Sequence, residues 1–256
     1  MSGTGAAKTE AAGTRVAKTK TAKAGVLAEL RRRIAAIERG STGGGEIGGA
    51  VLALGLAAID HALPRGGLGL GAVHEAIGSA ATGFAAVLAG RARGPVLWCV
   101  GEAAADGLYG AGLAAFGCDP ARLVVLRCRN AKEMLWAMEE GLRAAAPAMV
   151  VAEPASPVGL GASRRLQLAA EAGRTLGLVL RETKGSQTRL APSAVASRWR
   201  VDTAPNGCWR IELLRCRGLS AAGHNWPGKH WMVEWHDATG GLALVAPPGD
   251  RPDQAA

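Results

Sequence analysis

Five short apolar runs alternate with helix-compatible stretches along the middle of the chain, and few folds accommodate that alternation. The runs are "GAVHEAIG", "GPVLWCVGE", "RLVVLRC", "PAMVVAEP" and "GLVLRE". Each is short for a helix and rich in Val, Leu and Ile, as a strand buried on both faces requires. Between them lie a stretch around Ala105–Phe116, "AKEMLWAMEEGLRAA" and "SRRLQLAAEAGRTL", long enough for a helix to carry the chain back across a sheet. Strands joined by such crossovers run parallel. After about Ser193 the helical pattern stops. "SRWRVDTAPNGCWRIELLRCRG" reads as two strands joined at Pro205-Asn206-Gly207, and "KHWMVEWHDATGGLALV" as a second hairpin. The expected fold class is α/β: a mostly parallel sheet flanked by helices, with a β-rich C-terminal end.

The N-terminal part of the 256 residues is built differently. Residues 1–23 read as a disordered basic arm. Residues 24–40 read as a helix whose Leu27, Leu30, Ile34 and Ile37 form one apolar stripe. The glycine-rich stretch 41–50 is a linker, 51–246 the folded domain, and 247–256 a disordered tail. The formal net charge is +9, yet residues 1–40 alone hold nine Lys/Arg against three Glu. The high pI therefore belongs to the arm and helix, which suits solubility or nonspecific contact with phosphates. No apolar run approaches the roughly 20 residues needed to span a bilayer, and no signal-peptide core is present. Five cysteines without a C-x-x-C spacing read as reduced thiols. These features predict a cytoplasmic protein. His224, His230 and His236 lack the Cys or carboxylate companions of a zinc site, so no metal is expected.

The first apolar run leads into "AIGSAATGFAAVL". Gly78 and Gly83 have the spacing of the phosphate-binding loop G-x-x-x-x-G-K-[ST], and the strand–loop–helix context is the one that loop requires. The Lys position holds Phe84 and the Ser/Thr position Ala85. Phe84 cannot reach a phosphate with a charge, and Ala85 cannot ligate Mg²⁺. Losing the Lys alone costs roughly 3–6 kcal/mol of nucleotide affinity. The expectation is no ATP turnover, no cofactor, and a Phe84 folded inward.

Around this loop the sequence resembles RecA-type recombinases. The segment "LGLAAIDHALPRGGLGLGAVHEAIG" carries the resemblance through Gly55, Ile59-Asp60, Ala62-Leu63, Gly66-Gly67 and Gly71. "WCVGEAAADGLY" resembles the segment with the water-activating glutamate, which places Glu102 as the relic catalytic-type acid and Asp106 and Tyr109 where adenine contacts fall. "AMVVAEP" resembles the Walker B strand, with Glu153 at the magnesium-associated acid. The resemblance covers about Leu54–Val201 and implies a RecA-like core. Together with the N-terminal helix and degenerate loop, it resembles the ImuA family of bacterial damage-induced mutagenesis cassettes. That resemblance implies a non-catalytic accessory protein of SOS-induced translesion synthesis. Its implied partners are ImuB and an error-prone C-family DNA polymerase, with RecA and single-stranded DNA as further candidates and no membrane. A RecA-like DNA-dependent ATPase and a SulA-type cell-division inhibitor are the alternative readings.

Two surfaces are candidates for contact. The stripe Leu27, Leu30, Ile34 and Ile37 would dock on a partner or a second copy. The interval Arg181–Arg217 holds eight basic residues against three acids, with Trp199 and Trp209 interleaved. It makes Arg198, Arg200, Arg215 and Arg217 candidate DNA contacts, against the simpler expectation of core tryptophans and solvated strand arginines.

Overall fold

In a computed structural model, residues 50–102, 108–181, 192–218 and 230–245 are described. Contacts group Ile47–Ala256 into one unit, which contains all of them. The candidate helix 24–40, with Leu27, Leu30, Ile34 and Ile37, lies outside the described residues, as do the arm, residues 41–49 of the linker, Asp106 and the tail.

The apolar runs become the strands of one nine-stranded sheet. A short pair, β1 (Val51–Leu52) and β2 (Leu68–Gly69), stands apart from it and brackets a small helix, α1 (Ala57–Asp60). The main sheet begins with β3 (Val73–Ile77) and continues through α2 (Ala81–Arg91), β4 (Val96–Gly101), α3 (Gly110–Ala115), β5 (Leu123–Cys128), α4 (Ala131–Arg143), β6 (Met149–Ala152), α5 (Leu160–Gly173) and β7 (Leu176–Arg181). It is completed by β8 (Ser197–Thr203), β9 (Trp209–Cys216), β10 (His230–His236) and β11 (Gly241–Leu244). The spatial order is β11-β10-β9-β8-β3-β7-β6-β4-β5. All pairings from β8 to β5 are parallel. Those among β8, β9, β10 and β11 are antiparallel. The expected α/β class and the β-rich end both hold.

Alternation along the strands splits the core into two layers. Trp98 and Val100 of β4, Met149 and Val151 of β6, and Leu176, Leu178 and Leu180 of β7 pack on one face with α2 and the tryptophans of the β-rich end. Cys99, Val150, Ala152 and Val179 point the other way, onto Met134, Met138 and Leu142 of α4 and Leu166, Ala169 and Ala170 of α5. The two covering helices on that face approach closely because Gly173 has no side chain: a Cβ there would run into the Leu142 carbonyl. Helix α4 starts with an Asn130 side chain that accepts from the Glu133 N–H at 2.9 Å, satisfying an amide with no intrahelical partner. Helix α2 is apolar on nearly every side because both its surroundings, sheet and tryptophan layer, are core: Phe84, Ala85, Ala86, Leu88 and Ala89 are all fully buried.

Candidate functional site

The segment ahead of the loop is held by one carboxylate. Asp60, at the end of α1, accepts from the Leu54 N–H at 2.7 Å and the Gly55 N–H at 2.9 Å. Both amides sit in a bend where no strand partner is available, and Asp60 is itself buried. Gly55 takes φ +79°, which favours glycine, and its bare Cα faces the Arg91 guanidinium at the end of α2. The Gly/Ile-Asp signature thus works here as a structural clamp that anchors the chain beside the loop helix.

The loop itself is short. After β3 only Gly78, Ser79 and Ala80 intervene before α2 begins at Ala81. In a phosphate-binding loop the backbone N–H groups point at the ligand. Here they are bonded within the chain. Gly78 N–H donates to the Arg181 carbonyl at 3.1 Å, Ala80 N–H to the Val201 carbonyl at 3.0 Å and Ala81 N–H to the Gly78 carbonyl at 3.3 Å. Ser79 N–H donates to the Asp202 carboxylate, Oδ1, at 3.2 Å. The Ser79 hydroxyl accepts from the Thr203 N–H at 2.9 Å and lies 3.1 Å from the Thr203 hydroxyl. Strand β8 has closed down on the loop. Its Asp202 carboxylate supplies the negative partner that a phosphate would supply.

Each glycine of the pair has a reason unconnected with nucleotide. Gly78 adopts φ +121° and lies against Val201 and Asp202, where any side chain would collide with β8. A Cβ at Gly83 would stand 2.8 Å from Cζ2 of Trp209, so the missing side chain lets the β9 indole lie on α2. Phe84 is fully buried with its ring centroid 5.9 Å from that of Trp199, and Ala85 is buried beside it. The inward turn of Phe84 is as expected.

Glu102 and Glu153, the two acids singled out by the sequence resemblance, lie at the C-terminal edge of the sheet, on the same side as the loop, the edge where parallel α/β sheets bind ligands. Glu153, just past β6, accepts from the Trp98 indole N–H at 2.6 Å. Glu102, just past β4, is exposed, as is Tyr109, which is 73% accessible. Glu102, Glu153 and Asp202 stand at this edge together with Arg127 and Arg200. The nearby Arg181 is engaged by Glu75 at 3.2 Å. Among the described residues no group of His, Cys, Asp and Glu could hold a metal ion. Burial pushes the Cys99 thiol up to about 12 and Cys216 to about 11, so neither is a thiolate near neutrality.

The four candidate DNA arginines part company. Arg198 is buried: its Nε donates to Glu75 Oε2 at 2.5 Å and its Nη2 to the Ser193 hydroxyl at 2.9 Å. Glu75 thus bridges two arginines from neighbouring strands, β7 and β8. Arg215 and Arg217 are exposed, but each donates to the chain between β7 and β8, Arg215 to the Ser193 carbonyl at 2.8 Å and Arg217 to the Ala194 carbonyl at 3.0 Å. Arg200 is half-buried across from Glu212. Trp199 is fully buried, and Trp209 and Trp231 are nearly so, so their rings serve the core rather than base stacking. Trp235 is half-buried, at 5.6 Å from the Phe116 ring.

Sequence reasoning missed Asp202 and Thr203 and did not connect Trp209 with the loop, whose state these three residues decide. They lie some 120 positions from it, and no local pattern marks them.

No family model matches the sequence. Two curated relatives do. Both are described as Protein ImuA, from two strains of Caulobacter vibrioides, NA1000 / CB15N and ATCC 19089 / CIP 103742 / CB 15. Each is 35% identical to this chain, over 73% of it and 84% of the relative.

Proposed function

The chain belongs to the ImuA family, and from that premise we propose that it is a non-catalytic accessory protein of damage-induced mutagenesis in the cytoplasm, with a RecA-like core that acts through protein contacts. The observation that carries the reading is the closed loop. Its amides are bonded to Arg181, Val201 and Asp202, and a carboxylate stands at the Ser79 N–H. An ATP β-phosphate brought there would displace four backbone interactions, meet Asp202 with like charge, and find no lysine. Phosphoryl transfer depends on electrostatic positioning, and this site offers the wrong sign. Support for the RecA-like core comes from the parallel sheet, the strand–loop–helix at Val73–Arg91 and the relic acids at the same edge.

A protein of this kind works by holding others together. ImuB and an error-prone C-family DNA polymerase are the proposed partners, with RecA or single-stranded DNA as further contacts. The stripe Leu27, Leu30, Ile34 and Ile37 is the proposed docking element, since an amphipathic helix buries such a stripe in a partner's groove.

Two measurements test this. Calorimetric titration of Mg-ATP into the purified chain is expected to give no heat of binding at submillimolar nucleotide, and no phosphate release. Saturable binding, or turnover lost in Glu102→Gln, refutes the non-catalytic reading. Surface-immobilised ImuB is expected to capture the chain, and Leu30→Asp with Ile34→Asp to abolish capture while the melt of the domain is unchanged. Undiminished capture removes the helix from the interface.

A further inference from the structure

The turn between β8 and β9 carries Pro205-Asn206-Gly207, and all three residues are exposed. Asn206 takes φ 59° and ψ 30°, a left-handed conformation that asparagine adopts more readily than most residues, and Gly207 follows at φ +74°. A Cβ at Gly207 would meet nothing within 4 Å. The hydrogen bonds of the turn run from the Ala204 N–H to the Cys208 carbonyl at 2.7 Å and from the Cys208 N–H to the Pro205 carbonyl at 3.3 Å. Neither holds the Asn206 carboxamide or the Gly207 nitrogen. The other two asparagines of the chain lack this combination. Asn130 precedes Ala131, and its side chain accepts from the Glu133 N–H at the start of α4. Asn225 precedes Trp226. A side chain on the following residue crowds the path of its nitrogen to the asparagine Cγ, and glycine has none.

We infer that Asn206 is a site of spontaneous deamidation through Gly207, and that the iso-aspartyl product loosens the hairpin that closes the loop after β3. Rotation about the Asn206 Cα–C bond brings the Gly207 nitrogen onto Cγ. That nitrogen gives its proton to solvent base and bonds to Cγ. The bond from Cγ to the side-chain nitrogen breaks, and ammonia leaves with a proton from water. A five-membered succinimide remains. Water then opens the ring at one of its two carbonyls. Opening at the side-chain carbonyl gives aspartate, and opening at the backbone carbonyl gives iso-aspartate. Overall, water replaces ammonia, and no oxidant or cofactor is required. Either product adds a negative charge. The iso form also routes the main chain through Cβ and Cγ, so the turn grows by one carbon. Turn length sets the register of a hairpin. Here it sets Thr203 opposite Trp209 and Asp202 opposite Arg210. Those strand ends hold the loop: the Thr203 N–H donates to the Ser79 hydroxyl, Asp202 accepts from the Ser79 N–H, the Val201 carbonyl accepts from the Ala80 N–H, and Trp209 lies against Gly83. A longer turn shifts them and weakens that grip.

The test ages the full chain at physiological temperature and mildly alkaline pH, which favours the deprotonated nitrogen. Tryptic peptide 201–210 should become heavier by about one mass unit and show the electron-transfer fragments that mark iso-aspartate, while the peptide holding Asn130 stays unchanged. Asn206→Gly keeps a residue suited to the left-handed turn and has no carboxamide, so its peptide should not change. The Ser79 and Ala80 amides should exchange hydrogen at least severalfold faster in the aged parent than in the fresh parent, and at an unaltered rate in aged Asn206→Gly. Fresh Asn206→Asp adds the charge without the extra carbon and should exchange like the fresh parent. A peptide 201–210 of unchanged mass, or an equal change at Asn130, overturns the site. An iso-aspartyl chain whose Ser79 and Ala80 amides exchange as in the fresh parent, or fresh Asn206→Asp exchanging as fast as the aged chain, overturns the stated effect on the loop.

Discussion

Restoring the missing phosphate-loop residues is the obvious way to revive a nucleotide site, and the structure predicts that it damages the fold instead. Phe84→Lys with Ala85→Thr would rebuild the G-x-x-x-x-G-K-T pattern. Phe84 is fully buried against Trp199 and Ala85 has no accessible surface. Removing a buried phenylalanine side chain costs about 3–5 kcal/mol. The new ammonium is buried unless its stem reaches out of the core, which still leaves the ring's cavity unfilled. The threonine adds a hydroxyl and a methyl where alanine is closely packed, which costs a further 1 kcal/mol or so. At about 2–4 °C per kcal/mol for a domain of this size, the melting temperature should fall by roughly 8–24 °C. Any molecules that remain folded should bind no Mg-ATP, because the loop amides stay bonded to β7 and β8. Differential scanning fluorimetry with and without Mg-ATP measures both effects. A double variant that melts like the parent and is stabilised by nucleotide would refute this account of the loop.

Three further outcomes follow from buried polar groups. His74 is buried with Nε2 donating to the Gly69 carbonyl and Nδ1 accepting from the Ser197 hydroxyl, and burial lowers its pKa from 6.5 to about 4. The unfolded chain takes up this proton first as pH falls, so up to about 3 kcal/mol of stability should be lost between pH 6.5 and 4; urea midpoints for the parent should fall through that window and those of His74→Gln should fall less. Asp60→Ala strands two amides and should cost about 2–5 kcal/mol, whereas Asp60→Asn, which keeps an acceptor, should cost less; chemical denaturation measures both. Arg198→Ala leaves Glu75 with one partner in a buried site and should destabilise by about 3–5 kcal/mol, while any salt-dependent binding of single-stranded DNA by the folded fraction, measured by fluorescence anisotropy, should be unchanged.

Much of this protein was legible in its sequence because the signals are local. Strand and helix periodicity between Val73 and Arg181 depends only on which residues can be buried along a segment, and it predicted the parallel core and both C-terminal hairpins. The loss of the lysine at Phe84 was equally local: a side chain without a charge cannot do the work of one that has it, in any fold. What Gly78 and Gly83 are for was not legible. Their spacing points to phosphate, yet the contacts that demand them come from Val201, Asp202 and Trp209 across the sheet. Arginine and tryptophan on β8 and β9 likewise suit a nucleic-acid surface in sequence, and only the pairing of β3 with β7 and β8 turned Arg198 inward onto Glu75. Sequence fixes what each residue is able to do, because that is covalent chemistry. Which partner it meets depends on strand order, and strand order is settled by the burial of both sheet faces at once.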